Sequence, residues 1–151
     1  MGDSYFYECK KCKKITELIF VNAYFLRPSS DGEVNSQIDV SLNNDLRNFI
    51  ELFPDGRIDR TRQTYTCPKC GRFKNEYDLS MYIPNESNQQ LEDYLIPFKE
   101  SGYVLFQKNP HICQVCNIDM NVMPKHDFDF EYKCPYCDSP LSFLSWEHFR
   151  G

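Results

Sequence analysis

The sequence contains no run of the ~18 apolar residues that a bilayer-spanning helix needs. Its opening segment, Met1-Gly2-Asp3-Ser4-Tyr5-Phe6, has neither the basic start nor the apolar centre of a secretion signal. Phe6 also stands where a myristoylation signal has Ser or Thr. Histidine is scarce: His111, His126 and His148 form no His-Glu-x-x-His or comparable metalloenzyme spacing. Cysteine outside a Cys-x-x-Cys pair is absent, so no free nucleophile stands out. These absences predict a cytosolic chain without membrane association and with reduced thiols, and they leave little support for a catalytic role.

The 151 residues hold 41% apolar and 15% aromatic side chains, enough for a core in one ordinary or two small domains. The net charge of −5 is unevenly spread. Residues 1–76 carry twelve Lys/Arg against eleven Asp/Glu, and residues 77–151 carry five against eleven.

All eight cysteines fall in four pairs: Cys9/Cys12, Cys67/Cys70, Cys113/Cys116 and Cys134/Cys137. Reduced thiols at this spacing point to metal ligation rather than disulfides. The last two pairs are separated by 17 residues, the spacing of a tetrahedral zinc site. Ile118, Met120 and Val122 alternate with polar residues before Pro124-Lys125-His126-Asp127, and Phe128, Phe130 and Tyr132 alternate after it. Period-two alternation on both sides of a turn predicts an antiparallel hairpin closed by one ion. The expected pairing is therefore Cys113/Cys116 with Cys134/Cys137, and Cys9/Cys12 with Cys67/Cys70. Loop-closure entropy does not exclude a crossed arrangement such as Cys67/Cys70 with Cys113/Cys116, because a ~100-residue loop costs only about 1 kcal/mol more than a ~20-residue one.

Elsewhere, Ile15 to Leu26 reads as strand and Pro28 to Gly32 as a loop. Ser41 to Phe53 reads as a helix capped by Ser41 or Asn43, with Leu42, Leu46, Phe49, Ile50 and Phe53 on one face and Pro54-Asp55-Gly56 as its stop. That face is expected to pack on the first ribbon of strands. A strand over Tyr77–Ile83 follows. A second helix opens at the capping box Ser87-Asn88-Gln89-Gln90, with Leu91, Tyr94 and Leu95 inward and Pro97 ending it at Ile96. Tyr103–Gln107 is a strand, and Leu141, Phe143, Trp146 and Phe149 are expected to cover the second ribbon. A weak repeat aligns Tyr65-Thr66-Cys67-Pro68-Lys69-Cys70 with Tyr132-Lys133-Cys134-Pro135-Tyr136-Cys137.

Cys67-Pro68-Lys69-Cys70-Gly71 and Cys134-Pro135-Tyr136-Cys137, each following a proline-free pair, resemble the knuckles of zinc-ribbon and rubredoxin-like proteins. The chain is also similar to bacterial proteins carrying several such knuckles, a likeness that implies no particular activity. The resemblance implies a β-rich α+β fold of two zinc-ribbon-like modules, each with one structural zinc held by four cysteines. Residues 1–84 form the first module, with the helix at about 41–53 as an insertion; 85–108 connect, and 109–151 form the second. Rubredoxins carry Gly after both knuckles, whereas Lys13, Asn117 and Asp138 stand there at three of four positions, which disfavours iron electron transfer. Transcript-cleavage ribbons carry an acidic pair at the hairpin tip, where this chain has Lys125-His126-Asp127.

Among other ionisable groups, His111 lies two residues before Cys113 and is expected at the surface rather than as a ligand. Asp127, Asp129 and Glu131 are expected on a solvated strand face. Lys10, Lys11, Lys13 and Lys14 flank the first knuckle, and Arg57, Arg60, Arg62, Lys69, Arg72 and Lys74 flank the second. With those knuckles paired, the cations gather at one end and either compensate a dianionic thiolate site or bind phosphate. Tyr7, Tyr65 and Phe73 are then candidates to stack on bases. The expected function is a non-enzymatic adaptor with two zinc ions, for a protein partner or for nucleic acid. A rubredoxin-like electron carrier and a metal-dependent hydrolase are the alternatives.

Overall fold

The computed structural model describes residues 2–21, 24–28, 44–84, 95–96 and 102–149. Among them are strands β1 (Gly2–Cys9), β2 (Ile15–Val21), β3 (Tyr24–Pro28), helix α1 (Asn44–Leu52), β4 (Arg57–Asp59), β5 (Arg62–Thr66), β6 (Phe73–Tyr77), β7 (Met81–Pro84), β8 (Leu95–Ile96), β9 (Tyr103–Gln107), β10 (Asn121–Val122) and β11 (Leu141–Phe149). The cap at Ser41 or Asn43, Leu42, the loop residues 29–32, the capping box 87–90, and Leu91, Tyr94 and Pro97 lie outside the described residues. The chain divides into two compact units that interleave in sequence. One is Met1–Asn22, Arg62–Glu76 and Pro110–Gly151; the other is Ala23–Thr61 and Tyr77–Asn109. The boundary expected at 84 falls inside the second unit, and the one expected at 108 lies one residue from the division at Asn109/Pro110.

The first unit holds two three-stranded sheets of the same plan, ordered β11-β1-β2 and β10-β5-β6. Strands β1 and β2 pair antiparallel from Gly2↔Val21 to Glu8↔Ile15, and β11 adds on the other side of β1. Ile15, Thr16, Ile19, Phe20 and Val21 are β-branched or aromatic, which suits a pleated, half-buried surface. Tyr7, Leu18, Phe73 and Tyr132 form one buried cluster; Tyr65, Cys67, Cys113 and Met120 form a second. The Ile19 amide donates to Thr64 Oγ1 at 2.8 Å, Thr64 Oγ1 bonds Asn75, and the Asn75 amide reaches Glu17 O at 2.8 Å. Thr64 and Asn75 are thereby partnered across β2, β5 and β6.

The hairpin expected between residues 118 and 132 does not form. Asn121 and Val122 pair with Thr66 and Tyr65 instead. On the return side the Asp127 carboxylate accepts the Asp129 amide at 2.8 Å, and Phe130 N–H reaches Asp127 O at 3.2 Å. That Asx-type turn offers the backbone an alternative to a ladder, so Phe128 and Phe130 sit in a turn, exposed. Asp127, Asp129 and Glu131 consequently do not line a strand face.

The second unit is a five-stranded sheet ordered β8-β3-β4-β7-β9. The helix face read from the sequence is the one used: Leu46 and Phe49 are buried with Ile58 and Met81, and Ile50 and Phe53 pack against them. It packs on β4 and β7. Gly56 closes the turn after the helix, where a Cβ would lie 2.6 Å from Phe49 Cζ. The strand expected over 77–83 is broken in two. Leu79 takes φ 61°, Ser80 N–H bonds Asp78 Oδ1 at 2.9 Å, and Asp78 N–H bonds Thr61 O at 2.8 Å. Leu95 and Ile96, expected to end a helix, pair with Phe25 and Tyr24 as β8.

Asp59 is buried beneath this bend and accepts Thr61 N–H at 2.8 Å. Burial, reinforced by the nearby Asp78 carboxylate, pushes its pKa up to about 7. The folded value lies above the ordinary carboxyl value of about 4, so the native state holds this proton more tightly than the unfolded chain. Its contribution to stability therefore declines as pH rises from about 4 through about 7, by at most about 1.4 kcal/mol per pH unit. Urea midpoints read from the methyl signals of Ile58 and Met81 should be higher at about pH 6 than at about pH 8, and Asp59→Asn should remove that difference.

Candidate metal centres

Each Cys-x-x-Cys pair folds as the same knuckle. The amide one residue beyond the second cysteine bonds back to the first cysteine's carbonyl: Lys13 to Cys9 at 2.8 Å, Gly71 to Cys67 at 3.0 Å, Asn117 to Cys113 at 2.7 Å and Asp138 to Cys134 at 2.9 Å. The first cysteine's amide closes the loop onto Lys14, Arg72, Ile118 and Ser139 in turn. All four residues after the second cysteine are left-handed, with φ 64°, 76°, 56° and 64°. Gly71 accepts this freely, and Asn and Asp tolerate it; Lys13 adopts it at a cost in backbone strain. Glycine is not required to form the knuckle, so its absence at three positions does not separate zinc from iron.

The knuckles combine in the crossed order. Cys9, Cys12, Cys134 and Cys137 form one set and Cys67, Cys70, Cys113 and Cys116 the other, with the sulfurs of each set within 4.8 Å of one another. The expected pairing of neighbouring knuckles is thus corrected. The reason is the strand order. The strand after the fourth knuckle is β11, which pairs with β1, and the strand after the third is β10, which pairs with β5. One four-cysteine set is nested inside the other in the sequence. The literal repeat also crosses structural roles: the second knuckle, between paired β5 and β6, corresponds to the first, between β1 and β2. The third and fourth correspond through their matching bridges, Ile112↔Asp119 and Lys133↔Pro140.

The donor sets fit a tetrahedral ion. Sulfur separations are 3.4 Å for Cys9–Cys137, 3.6 Å for Cys12–Cys134 and 3.7 Å for Cys70–Cys113. Metal–sulfur bonds of about 2.3 Å in tetrahedral geometry require about 3.8 Å. All eight cysteines are free thiols rather than disulfides. The amides of Cys70 and Lys69 point at Cys67 Sγ from 3.5 and 3.4 Å, and the thiol is lowered to about 6, chiefly by the Cys70 N–H. The Ser139 hydroxyl lowers Cys137 to about 6. Burial beside its neighbours pushes Cys116 up to about 12. Four crowded thiolates thus cannot all ionise alone; a divalent cation makes that possible and releases protons as it binds.

An aromatic floor lies under each set, two residues before the first cysteine of every knuckle: Tyr7 and Tyr132 in one, Tyr65 and His111 in the other. Tyr7 and Tyr132 meet edge to face at 5.5 Å, and Tyr65 stacks on His111 at 3.8 Å. His111 is buried, not at the surface, with Nδ1 2.9 Å from Glu76 Oε1. It belongs to neither sulfur set. The run Tyr, Tyr, His, Tyr at this position was visible in the sequence as a periodic signal. His126 caps the first floor, 2.7 Å from the Tyr7 hydroxyl and stacked on Tyr5 at 3.6 Å. His148 is 2.8 Å from Asp3.

The ten cations do not form one equivalent group. Lys10, Lys11, Lys13 and Lys14 are exposed on the first knuckle, with Lys14 4.1 Å above the Tyr136 ring. Lys69 and Arg72 are exposed on the second. Arg62 pairs with Glu17 at 3.4 Å, and Lys74 pairs with Glu76 at 3.2 Å. Arg57 and Arg60 fall in the other unit, Arg57 buried against Tyr103. Tyr7, Tyr65 and Phe73 are 5%, 2% and 7% exposed, so none offers a face to a base. A cavity of about 270 Å³ separates Cys70–Phe73 from Phe130–Cys134; its charged lining is mixed, Arg72 and Lys133 against Glu131 and Asp138.

Comparison with protein-family models, curated proteins and solved structures gave no match. No helix among the described residues is long and apolar enough to cross a membrane.

The crossed pairing has a direct test. Cys12→Ser should lower metal content by about one ion and expose Cys134 and Cys137 to alkylation, leaving Cys67 and Cys70 protected. Mass spectrometry of the alkylated cysteines checks it; exposure of Cys67 and Cys70 instead would restore the uncrossed pairing.

Proposed function

We propose that the chain is a non-enzymatic zinc protein with two structural four-cysteine sites, built as one zinc ribbon nested in another, that works as an adaptor for a protein partner. The observation that carries this reading is the closed ligand set. Each ion receives four sulfurs, and a catalytic zinc needs an open fourth position. Zinc is chosen over iron because it is the usual ion of structural four-thiolate sites. Reduced thiols suit a cytosolic protein.

A protein partner is favoured over nucleic acid by what is exposed. The tyrosines and the phenylalanine suggested for base stacking are buried, while Phe128, Phe130 and Trp146 are exposed in an acidic neighbourhood. Nucleic acid remains the second reading on one observation, the exposed cluster Lys10, Lys11, Lys13 and Lys14.

Elemental analysis of untagged protein should give about two zinc ions per chain, and the purified protein should be colourless. A red protein with reversible one-electron chemistry would instead establish the iron carrier. Binding to single- or double-stranded nucleic acid that falls steeply with salt and disappears on changing the four lysines to Gln, with both zincs retained, would move the reading to nucleic acid.

A further inference from the structure

Strand β11 is the edge of its sheet, with β1 on one side and no strand on the other among the described residues. Six consecutive residues, Phe143 to His148, are exposed along it. An open edge of this length presents a row of unpaired backbone groups. The register explains why its aromatics gather on one face. Tyr5 opposes Trp146 and Tyr7 opposes Phe143, with Leu144 as the extra residue of a bulge. Tyr5 and Tyr7 share a face by period two, so Trp146 and Phe143, three apart, share it too. Phe128 completes the surface, edge to face with Phe143 at 5.3 Å and with Tyr5 at 5.7 Å. Phe128, Phe143 and Trp146 are 66%, 46% and 54% exposed. Exposed aromatics grouped in this way mark interaction surfaces rather than scattered surface residues.

Charge selects the occupant. The segments that build this face, residues 2–9, 122–132 and 141–149, contain six carboxylates and one lysine. Two copies meeting edge to edge bring like charge against like, and nucleic acid is repelled by the same field. A cationic protein segment is attracted. Between Ser145 and Phe149 the ladder with β1 is unbroken, so the outer rail of that stretch is straight enough to receive a strand.

We propose that β11 docks an extended, Lys- or Arg-bearing segment of a partner protein, which adds to its open edge and lays its apolar side chains on Phe128, Phe143 and Trp146. This rests on the adaptor reading and names its interface. Backbone hydrogen bonds supply the attachment, the aromatic face selects alternate apolar side chains, and the carboxylates select cations.

The probe is an octapeptide alternating Lys and Val, titrated into isotope-labelled, zinc-loaded full-length chain. Amide shifts confined to β11 and its flanks are expected. Phe143→Ala with Trp146→Ala should weaken binding about fivefold or more. N-methylation of alternate residues in the probe should abolish binding, because it removes strand addition while keeping charge and side chains. An octapeptide alternating Glu and Val should not bind. Glu147→Lys with Asp129→Lys, both exposed, keeps the aromatic face but leaves four carboxylates against three lysines there, and should markedly weaken binding of the Lys–Val peptide. No binding of the Lys–Val peptide at millimolar concentration, equal binding of the N-methylated or acidic peptide, or a free protein already dimeric through Trp146 overturns the proposal. Zinc is measured in the same samples: two ions without peptide binding overturns the docking alone, whereas fewer than about one ion overturns the zinc reading itself.

Discussion

The convergence of cysteine pairs from distant stretches of chain is the constraint on which the first unit depends. Cys12 and Cys134 lie 122 residues apart, and Cys70 and Cys113 lie 43 apart, yet each pair of sulfurs is in contact distance. The buried apolar clusters beside them are small, four residues each, and two members of one are ligating cysteines. A unit with so little core needs another source of folding free energy, and structural ions held by four thiolates supply it in modules of this size. The inner set closes a loop that contains part of the second unit. The outer set closes around the inner one, so β11 can meet β1 only after most of the chain has been laid down.

The thiolates are prepared for an ion by backbone rather than by side-chain cations. In every knuckle the turn closes on the first cysteine's carbonyl, whether the left-handed position holds Lys13, Gly71, Asn117 or Asp138, and following amides reach the sulfurs of Cys9, Cys67 and Cys113. The lowered values at Cys67 and Cys113 follow from those amides first. The lysines around the first knuckle lie exposed beside it and would offset the net charge of a filled site or serve another purpose. Arg57 and Lys74, which looked equivalent in the sequence, are committed to packing and to local pairs.

What was legible in the sequence were features set by local chemistry. The four knuckles, the helix face of Leu46, Phe49, Ile50 and Phe53, the strand at Tyr103–Gln107 and the strand character of Ile15–Leu26, though it divides into β2 and β3 of different sheets, follow from spacing and periodicity over a few residues. What was not legible was which knuckle meets which. The alternation from Ile118 to Tyr132 satisfied a hairpin pattern, but the Asp127 Asx turn removed the return strand and left β10 to pair with β5. Loop-closure entropy is too shallow a function of length to choose among pairings. The shared Tyr and Pro around Cys67 and Cys134 then suggested an alignment that the strands do not follow. The better signal was the residue two before each knuckle, where His111 stands in the place of a tyrosine and becomes the buried partner of Tyr65.

The same architecture ties the exposed aromatic edge to the metal. Strand β11 begins at Leu141, four residues after Cys137, and Leu141 N–H bonds Tyr132 O at 2.8 Å on the other side of the knuckle. Its partner β1 ends at Cys9, a ligand of the same set, opposite Leu141. Both strands therefore leave one four-cysteine set in adjacent register, and the ladder from Leu141 to Phe149 extends from that point. Tyr5, Tyr7, His126 and Tyr132 fill the space behind it with stacked and edge-on rings, which leaves Phe128 and Phe143 packed on their inner sides and open on their outer ones. A surface strand with only one neighbour is marginal in isolation. An ion held by the set that flanks it would fix its alignment, so under the proposed docking an ion that touches no partner would still determine whether that edge exists.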